Sequence, residues 1–224
     1  MSFSIAIDGP AGAGKSTIAK AAAKKLGFIY VDTGAMYRAM ALYIIRKNIK
    51  PEESDKISLA CKDADITIEY QNGEQFVILN GENVNPYIRA EEVGKMASVS
   101  SANKEVRLKL VELQRQLASK ADVVMDGRDI GTYVLPDANV KIFLTASSAI
   151  RAKRRFDELA QKGISCNIEE IEQDIIERDK RDSSREFAPL KQAEDAVLVD
   201  TSNMPVEEVI HTIIELVKKN NQGR

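Results

Sequence analysis

Tryptophan is absent from this 224-residue chain, and histidine occurs once, at His211. The two cysteines, Cys61 and Cys166, lie far apart and share no metal-ligand spacing. A zinc site or a histidine-based triad is therefore hard to build. The cysteines read as ordinary thiols of a reducing compartment. Charge of one sign is lacking too: 32 Lys and Arg stand against 34 Asp and Glu, a formal net charge of −2. Such a balance argues against nonspecific wrapping of nucleic acid, which needs a basic surface. No apolar run is long enough to span a bilayer, and the opening FSIAI is too short for a leader before glycine and proline interrupt it. The expectation is a soluble cytoplasmic protein with no nucleic-acid or membrane partner. Even charge and the missing heptad pattern lean toward a monomer.

What is present is a series of short apolar runs, several ending in aspartate: FSIAID (3–8), FIYVD (28–32), DVVMD (122–126), VKIFL (140–144) and AVLVD (196–200). Apolar at nearly every position, they predict strands buried on both faces, as in a parallel sheet covered by helices. Helical patterns lie between them at Lys15–Leu26, Ala35–Arg46, Asn103–Lys120, Ser147–Gln161, Ile168–Asp182 and Val206–Lys219. The alternation predicts an α/β fold: a doubly wound sheet of five parallel strands with helices on both faces. One stretch departs from it. DITIEYQNGEQFVILNGENV (65–84) alternates in polarity around Asn72-Gly73 and Asn80-Gly81, the pair that suits a type I′ hairpin turn. This predicts a small antiparallel β insertion, either a plain edge or a small domain that closes over a substrate.

Gly9 to Ser16, followed by Thr17, fits the pattern G-x-x-x-x-G-K-[ST], with a strand before it and a helix after it. The backbone of Gly9, Pro10, Ala11, Gly12, Ala13 and Gly14 would curl so that its N–H groups face phosphate oxygens. The start of the following helix adds the positive end of its dipole. Lys15 would reach the β- and γ-phosphates, and Ser16 would offer its hydroxyl to Mg²⁺. The loop implies a nucleoside triphosphate but not its fate. A switch GTPase would carry N-K-x-D, which is absent, and a transporter ATPase would end its strand in Asp-Glu. Here Asp126 is followed by Gly127-Arg128-Asp129. A kinase needs a second pocket, rich in arginine if the acceptor is itself a phosphate.

Arginines do gather at strand-to-helix junctions. Thr33, Tyr37 and Arg38 follow the second strand, and Arg128 and Asp129 follow the third; ligands of this fold class collect at these strand ends. Asp126 reads either as a cap or as an outer-sphere Mg²⁺ group. Arg178, Arg181, Asp182 and Arg185 have the spacing of one helix face. Together with Arg38 and Arg128 they form the cation supply that phosphoryl transfer demands, in the residue type whose planar fork grips phosphate. The basic run Arg151 to Arg155 reads as an exposed helix or as a lid over the triphosphate, with Gly163 as hinge.

The motifs GPAGAGKST, DTGAMYR, DGRDIG, VLPDA, KIFLTAS followed by RAKRR, and ERDKRDSSRE with APL resemble bacterial cytidylate kinases, members of the nucleoside monophosphate kinases with a phosphate loop. The likeness runs in order from about Ser4 to Val217. It implies that Arg38, Arg128 and Arg185 hold the phosphate of CMP, and that Ser98, Arg107 and Asp129 read cytosine. It also implies that Asp182, supported by Arg178, binds the ribose, with Tyr37 and Thr33 lining the same pocket. The loop with Lys15, Ser16 and Thr17, and the lid residues Arg151 and Arg154, would hold ATP and Mg²⁺. Lys15, Arg128, Arg178, Asp182 and Arg185 would carry catalysis. The implied organisation is one kinase unit over 1–224, its core about 1–32, 105–150 and 168–224. A monophosphate-binding region would take about 33–104, with the β insertion at 65–85, and a lid about 151–167. The implied reaction is phosphorylation of CMP and dCMP by ATP. Its rivals are a kinase of another small acceptor, such as UMP, AMP or shikimate, and a non-catalytic nucleotide-dependent switch.

Overall fold

Residues 2–221 are described by the computed structural model. The five apolar runs form strands β1 (Ser4–Asp8), β2 (Ile29–Asp32), β6 (Val123–Gly127), β7 (Val140–Thr145) and β8 (Val197–Asp200), joined in the order β2-β6-β1-β7-β8. Within it β1 pairs in parallel with β7, Ile5 beside Val140, and β7 with β8, Ile142 beside Val197. Burial on both faces holds for the inner strands β1 and β6, whose side chains are almost all covered. It fails for β8, where Val197 and Leu198 are 40% and 55% exposed. An edge strand has a neighbour on one side only, so apolar composition cannot bury it.

The chain divides into two compact units. The first contains Ile29–Val123 with Ser2. Its helices are α2 (Thr33–Arg46), α3 (Ser54–Asp63), α4 (Glu91–Ser100) and α5 (Lys104–Lys120). The antiparallel meander joins them as β3 (Ile66–Gln71), β4 (Glu74–Leu79) and β5 (Glu82–Asn83). Its turns follow the sequence reading closely. Asn72 and Gly73 have φ of 53° and 77°, and Asn80 and Gly81 have 50° and 83°. These are the left-handed pairs that a type I′ turn requires.

Helices α3 and α4 were not legible in the sequence. Helix α3 buries only Ile57 and Cys61, and α4 reads EEVGKMASVS, where Gly94, two valines and two serines interrupt the helix formers. Tertiary packing supplies what propensity lacks, α4 lying on α2 and α3 on α5. The cap of α5 does double duty. The Asn103 side chain accepts from Glu105 N–H and Val106 N–H, while its amide donates to Ser58 Oγ at 2.8 Å.

The meander also covers the outer edge of β2. Tyr70 donates to the Tyr30 carbonyl at 3.2 Å. Gln75 accepts from Asp32 N–H at 2.9 Å and donates to the Asp32 carbonyl at 3.1 Å. Residues 30 and 32 present their backbone groups on the same edge, which would otherwise lack ladder partners. Asp32 in turn caps α2 through Ala35 N–H and pairs with Arg89 at 2.8 Å. The insertion therefore anchors the junction that carries Thr33, Tyr37 and Arg38. Gln75→Ala removes two backbone partners and should cost about 1–3 kcal/mol. Thermal melting checks it: a drop of roughly 2–4 °C per kcal/mol is expected for a chain of this size. An unchanged midpoint would make the contact ornamental.

The second unit contains Phe3–Phe28 and, among the described residues, 124–221. Its helices are α1 (Lys15–Leu26), α6 (Ser148–Gln161), α7 (Ile168–Ser183) and α8 (Val206–Asn221). Helix α8 packs on α1, and α6 on α7. Among the described residues, no helix is long and apolar enough to cross a membrane.

Candidate active site

The phosphate loop turns sharply out of β1 because glycine stands where nothing else fits. A Cβ on Gly9 would lie 1.9 Å from the Leu144 carbonyl oxygen. Gly14, at φ 86°, is the cap residue from which α1 starts, a left-handed conformation costly for other residues. Lys15 opens that helix and folds back over the loop, its Nζ donating to the Pro10 carbonyl at 2.7 Å. Burial holds the Lys15 ammonium well below its ordinary pKa, and the charge of Arg128 pushes the same way, against Asp126 and Asp8. An incoming phosphate would supply a counter-charge to this desolvated ammonium. Ser16 and Thr17 are exposed beside it, and Ser16 Oγ donates to Asp126 Oδ2 at 2.9 Å.

Of the two arginines expected on a lid, one hydrogen-bonds to the loop itself and the other to Thr201 just past β8. Arg151, 5% exposed, donates to the carbonyls of Ala146 and Ala11 at 2.9 and 3.0 Å. It also pairs with Asp179 on α7 at 2.7 Å. Arg154 donates to the Thr201 carbonyl at 2.7 Å, and the Thr201 hydroxyl lies 3.3 Å from the Ala13 carbonyl. Helix α6 places the Arg151 guanidinium on the Ala11 carbonyl of the loop and the Arg154 guanidinium on Thr201.

The acidic centre of the arginine group is Asp182, 1% exposed. Its Oδ2 accepts from Arg128 Nε at 2.9 Å, and its Oδ1 pairs with Arg185. Burial alone would raise its pKa, but Arg128, Arg185 and Arg178 outweigh it and hold the carboxyl below its ordinary value. Arg178 lies one turn before Asp182 on α7, and Arg185 lies just past the helix end. Arg181, which the spacing put on the same face, is exposed. Lys15, Arg128, Arg178 and Arg185 thus belong to the same unit as the loop.

The remaining expected residues fall into two groups. Thr33, Tyr37, Arg38, Ser98 and Arg107 belong to the first unit, where the structure brings Tyr37 and Arg107 together: the guanidinium carbon lies 5.5 Å from the ring centre. Arg107, 1% exposed, donates to the Ser101 carbonyl at 3.1 Å, and Ser101 Oγ donates to the Ser98 carbonyl. Ser98 Oγ is buried without a hydrogen-bond partner, the state of a hydroxyl that a ligand would satisfy. Asp129, buried, belongs to the second unit and directly precedes a π-helical turn, Ile130–Val134. Three residues near the loop escaped the sequence reading: Asp8, Asp179 and Thr201. Only Asp8 left a trace, as a charge ending a buried strand.

A family model described as cytidylate kinase matches residues 5–219. A cytidylate kinase of Caldicellulosiruptor saccharolyticus is 53% identical over 217 residues, covering 97% of this chain and 96% of its own. One from Lactobacillus johnsonii is 50% identical over 219 residues, with 98% and 95% covered. Solved structures share the fold at low identity. An uncharacterized protein from Eubacterium ventriosum has a TM-score of 0.56 at 13% identity, with 98% of this chain and 99% of that chain covered. A gluconokinase from Sinorhizobium meliloti has 0.52 at 13%, with 98% and 94% covered. With nearly its whole length matched, and with the phosphate loop and arginine cluster in one unit, the chain belongs to the cytidylate kinase family.

Proposed function

We propose that the chain transfers the γ-phosphoryl group of ATP to CMP and dCMP, giving ADP with CDP or dCDP. The observation that carries this is the set of Arg128, Arg178 and Arg185 around buried Asp182, in the unit that holds the phosphate loop. A triphosphatase has no need of a second group of cations, whereas a kinase whose acceptor is a phosphate does.

A phosphate oxygen of CMP attacks the γ-phosphorus in line, and the bond to the bridging oxygen of ADP breaks. The attacking CMP oxygen is already nucleophilic, so no residue is assigned as general base, and no covalent intermediate with the protein forms. Lys15 and the loop amides hold the donor phosphates, with Arg151 and Arg154 on the donor side. Arg38, Arg128 and Arg185 hold the acceptor phosphate and keep the reacting atoms in line. Asp182, supported by Arg178, takes the ribose; Tyr37 and Thr33 line the acceptor site. Ser98, Arg107 and Asp129 read the base. The Asp129 carboxylate accepts from the exocyclic amine of cytosine and repels the oxygen that uracil carries there.

The residues present fit Mg²⁺. Ser16 Oγ and the Asp126 carboxylate are hard oxygen ligands 2.9 Å apart. No group of three or more His, Cys, Asp or Glu suited to a metal occurs among the described residues. A cation that keeps its waters and takes most other ligands from substrate phosphates needs no more. Ser16 would hold the ion directly and Asp126 through water, and the ion would neutralise charge on the phosphates. In this reading residues 33–104 bind the monophosphate, and 151–167 act as a lid with Gly163, at φ 72°, as its hinge. The enzyme would act as a cytoplasmic monomer.

ADP formation with a panel of acceptors tests the assignment. CMP and dCMP should be the preferred acceptors, with UMP well below both. Equal rates with UMP and CMP would sink the cytosine reading, and no acceptor-dependent ADP at all would favour a switch.

A further inference from the structure

Asp8 ends β1 one residue before the phosphate loop, and it is 4% exposed. Both of its carboxylate oxygens are engaged: Oδ1 accepts from Ile130 N–H at 2.8 Å and Oδ2 from Gly131 N–H at 2.7 Å. Those two amides open the π-helical turn that follows Asp129. The turn's own bonds begin later, from Tyr133 N–H and Val134 N–H to the Asp129 carbonyl and from Leu135 N–H to the Ile130 carbonyl. Its first donors therefore need an outside acceptor. The turn is held from a second direction, since a Cβ on Gly131 would lie 3.2 Å from Lys141 Cδ and 3.4 Å from Asp8 Oδ2.

Burying a carboxylate is costly unless its lone pairs are used. Burial pushes Asp8 up to about 7, with the two amides and Lys15 pulling it down and Asp129 pushing it up. Asparagine would be cheaper to bury but has one acceptor oxygen, and its NH₂ would face an N–H. Only a carboxylate satisfies two adjacent amides through both oxygens. None of the roles implied for the loop or for the arginines uses this side chain.

We propose that Asp8 is a positioning residue for base selection: by holding the Ile130 and Gly131 amides it fixes the turn that carries Asp129, and with it the discrimination between cytosine and uracil. This rests on the reading of Asp129 as the cytosine-reading carboxylate. Asp8 would act through the backbone of its neighbours without touching the acceptor.

The test compares the ratio of kcat/KM for CMP to that for UMP in the parent, Asp8→Asn and Asp129→Asn enzymes. Loss of folded protein lowers both terms of this ratio equally and so leaves it unmoved. Asp8→Asn should lower the ratio about tenfold, the effect of one lost hydrogen bond to a charged group, with the KM for ATP within about threefold of the parent. Should Asp129→Asn lower the ratio and Asp8→Asn leave it intact, the positioning role is overturned while the reading of Asp129 stands. If neither variant changes it, the reading of Asp129 falls and the proposal with it. A raised KM for ATP at unchanged ratio would assign Asp8 to the phosphate loop and overturn the proposal as well. Should Asp8→Asn fail to fold, Asp8→Glu keeps both acceptor oxygens but moves them one methylene away from the Ile130 and Gly131 amides. A reduced ratio supports the proposal there, and an unchanged one overturns it.

Discussion

Turnover of a Lys15→Ala enzyme should fall about a thousandfold, equivalent to about 4 kcal/mol of lost transition-state stabilisation. Lys15 is 6% exposed and is held over the loop by a hydrogen bond to the Pro10 carbonyl. Burial and the charge of Arg128 both act against its charged form, and donor phosphates would favour it again. Negative charge that develops between donor and acceptor is what such a group stabilises, in a site where water does not screen it. Lysine is also the right shape. Its compact head fits inside the curl of the loop, where the planar fork of arginine would need more room. Lys15→Arg should therefore restore little. Steady-state kinetics at saturating CMP decide the matter, and a Lys15→Ala enzyme keeping more than a tenth of its turnover would remove the loop from the chemistry. The fold should survive, because removing a strained buried cation relieves a cost.

Arg185→Ala should behave differently. Here kcat/KM for CMP should fall by about two to three powers of ten, while the KM for ATP stays within about threefold. Arg185 and Asp182 have side chains 6% and 1% exposed, so their interaction is poorly screened by solvent. Arg185 balances Asp182, and under the proposed reaction it would also meet the acceptor phosphate. The balancing of Asp182 shows in stability. Asp182 is held below its ordinary pKa in the folded chain, so its stabilising effect is complete above the usual carboxylate range and is lost as pH falls through the folded value. Without Arg185 that carboxyl titrates closer to its ordinary value. The melting temperatures of parent and variant should therefore differ most near neutrality and converge below about pH 4. Equal losses in the KM values for ATP and CMP would show that the residue serves the unit as a whole and not the acceptor. A switch protein would barely register the change in turnover.

Sequence and structure agree most closely where the physics is local. The loop between β1 and α1, the Asn-Gly turns at 72–73 and 80–81 and the start of α1 at Lys15 depend on residues a few positions apart. Their φ requirements and capping needs are written into residue type. Helices α3 and α4 were invisible for the opposite reason: their sequences are indifferent helix formers, and the surfaces of α5 and α2 decide for them. The edge strand β8 shows the same limit, since an apolar run cannot say how many neighbours it will have.

By itself the amino-acid sequence determined the doubly wound class, the hairpin insertion, the triphosphate loop and the presence of an arginine set spread over the chain. Each is a matter of periodicity, turn chemistry or residue inventory. Only the tertiary structure decided which charges are buried together. It brought Asp8 to amides more than 120 residues away, Gln75 to the backbone of Asp32, and Arg151 to the carbonyl of Ala11 across 140 residues. Hydrogen bonds of this kind join backbone groups that every residue possesses, so no residue type announces them. They exist because folding puts two distant segments within 3 Å of each other and leaves no water to take either place.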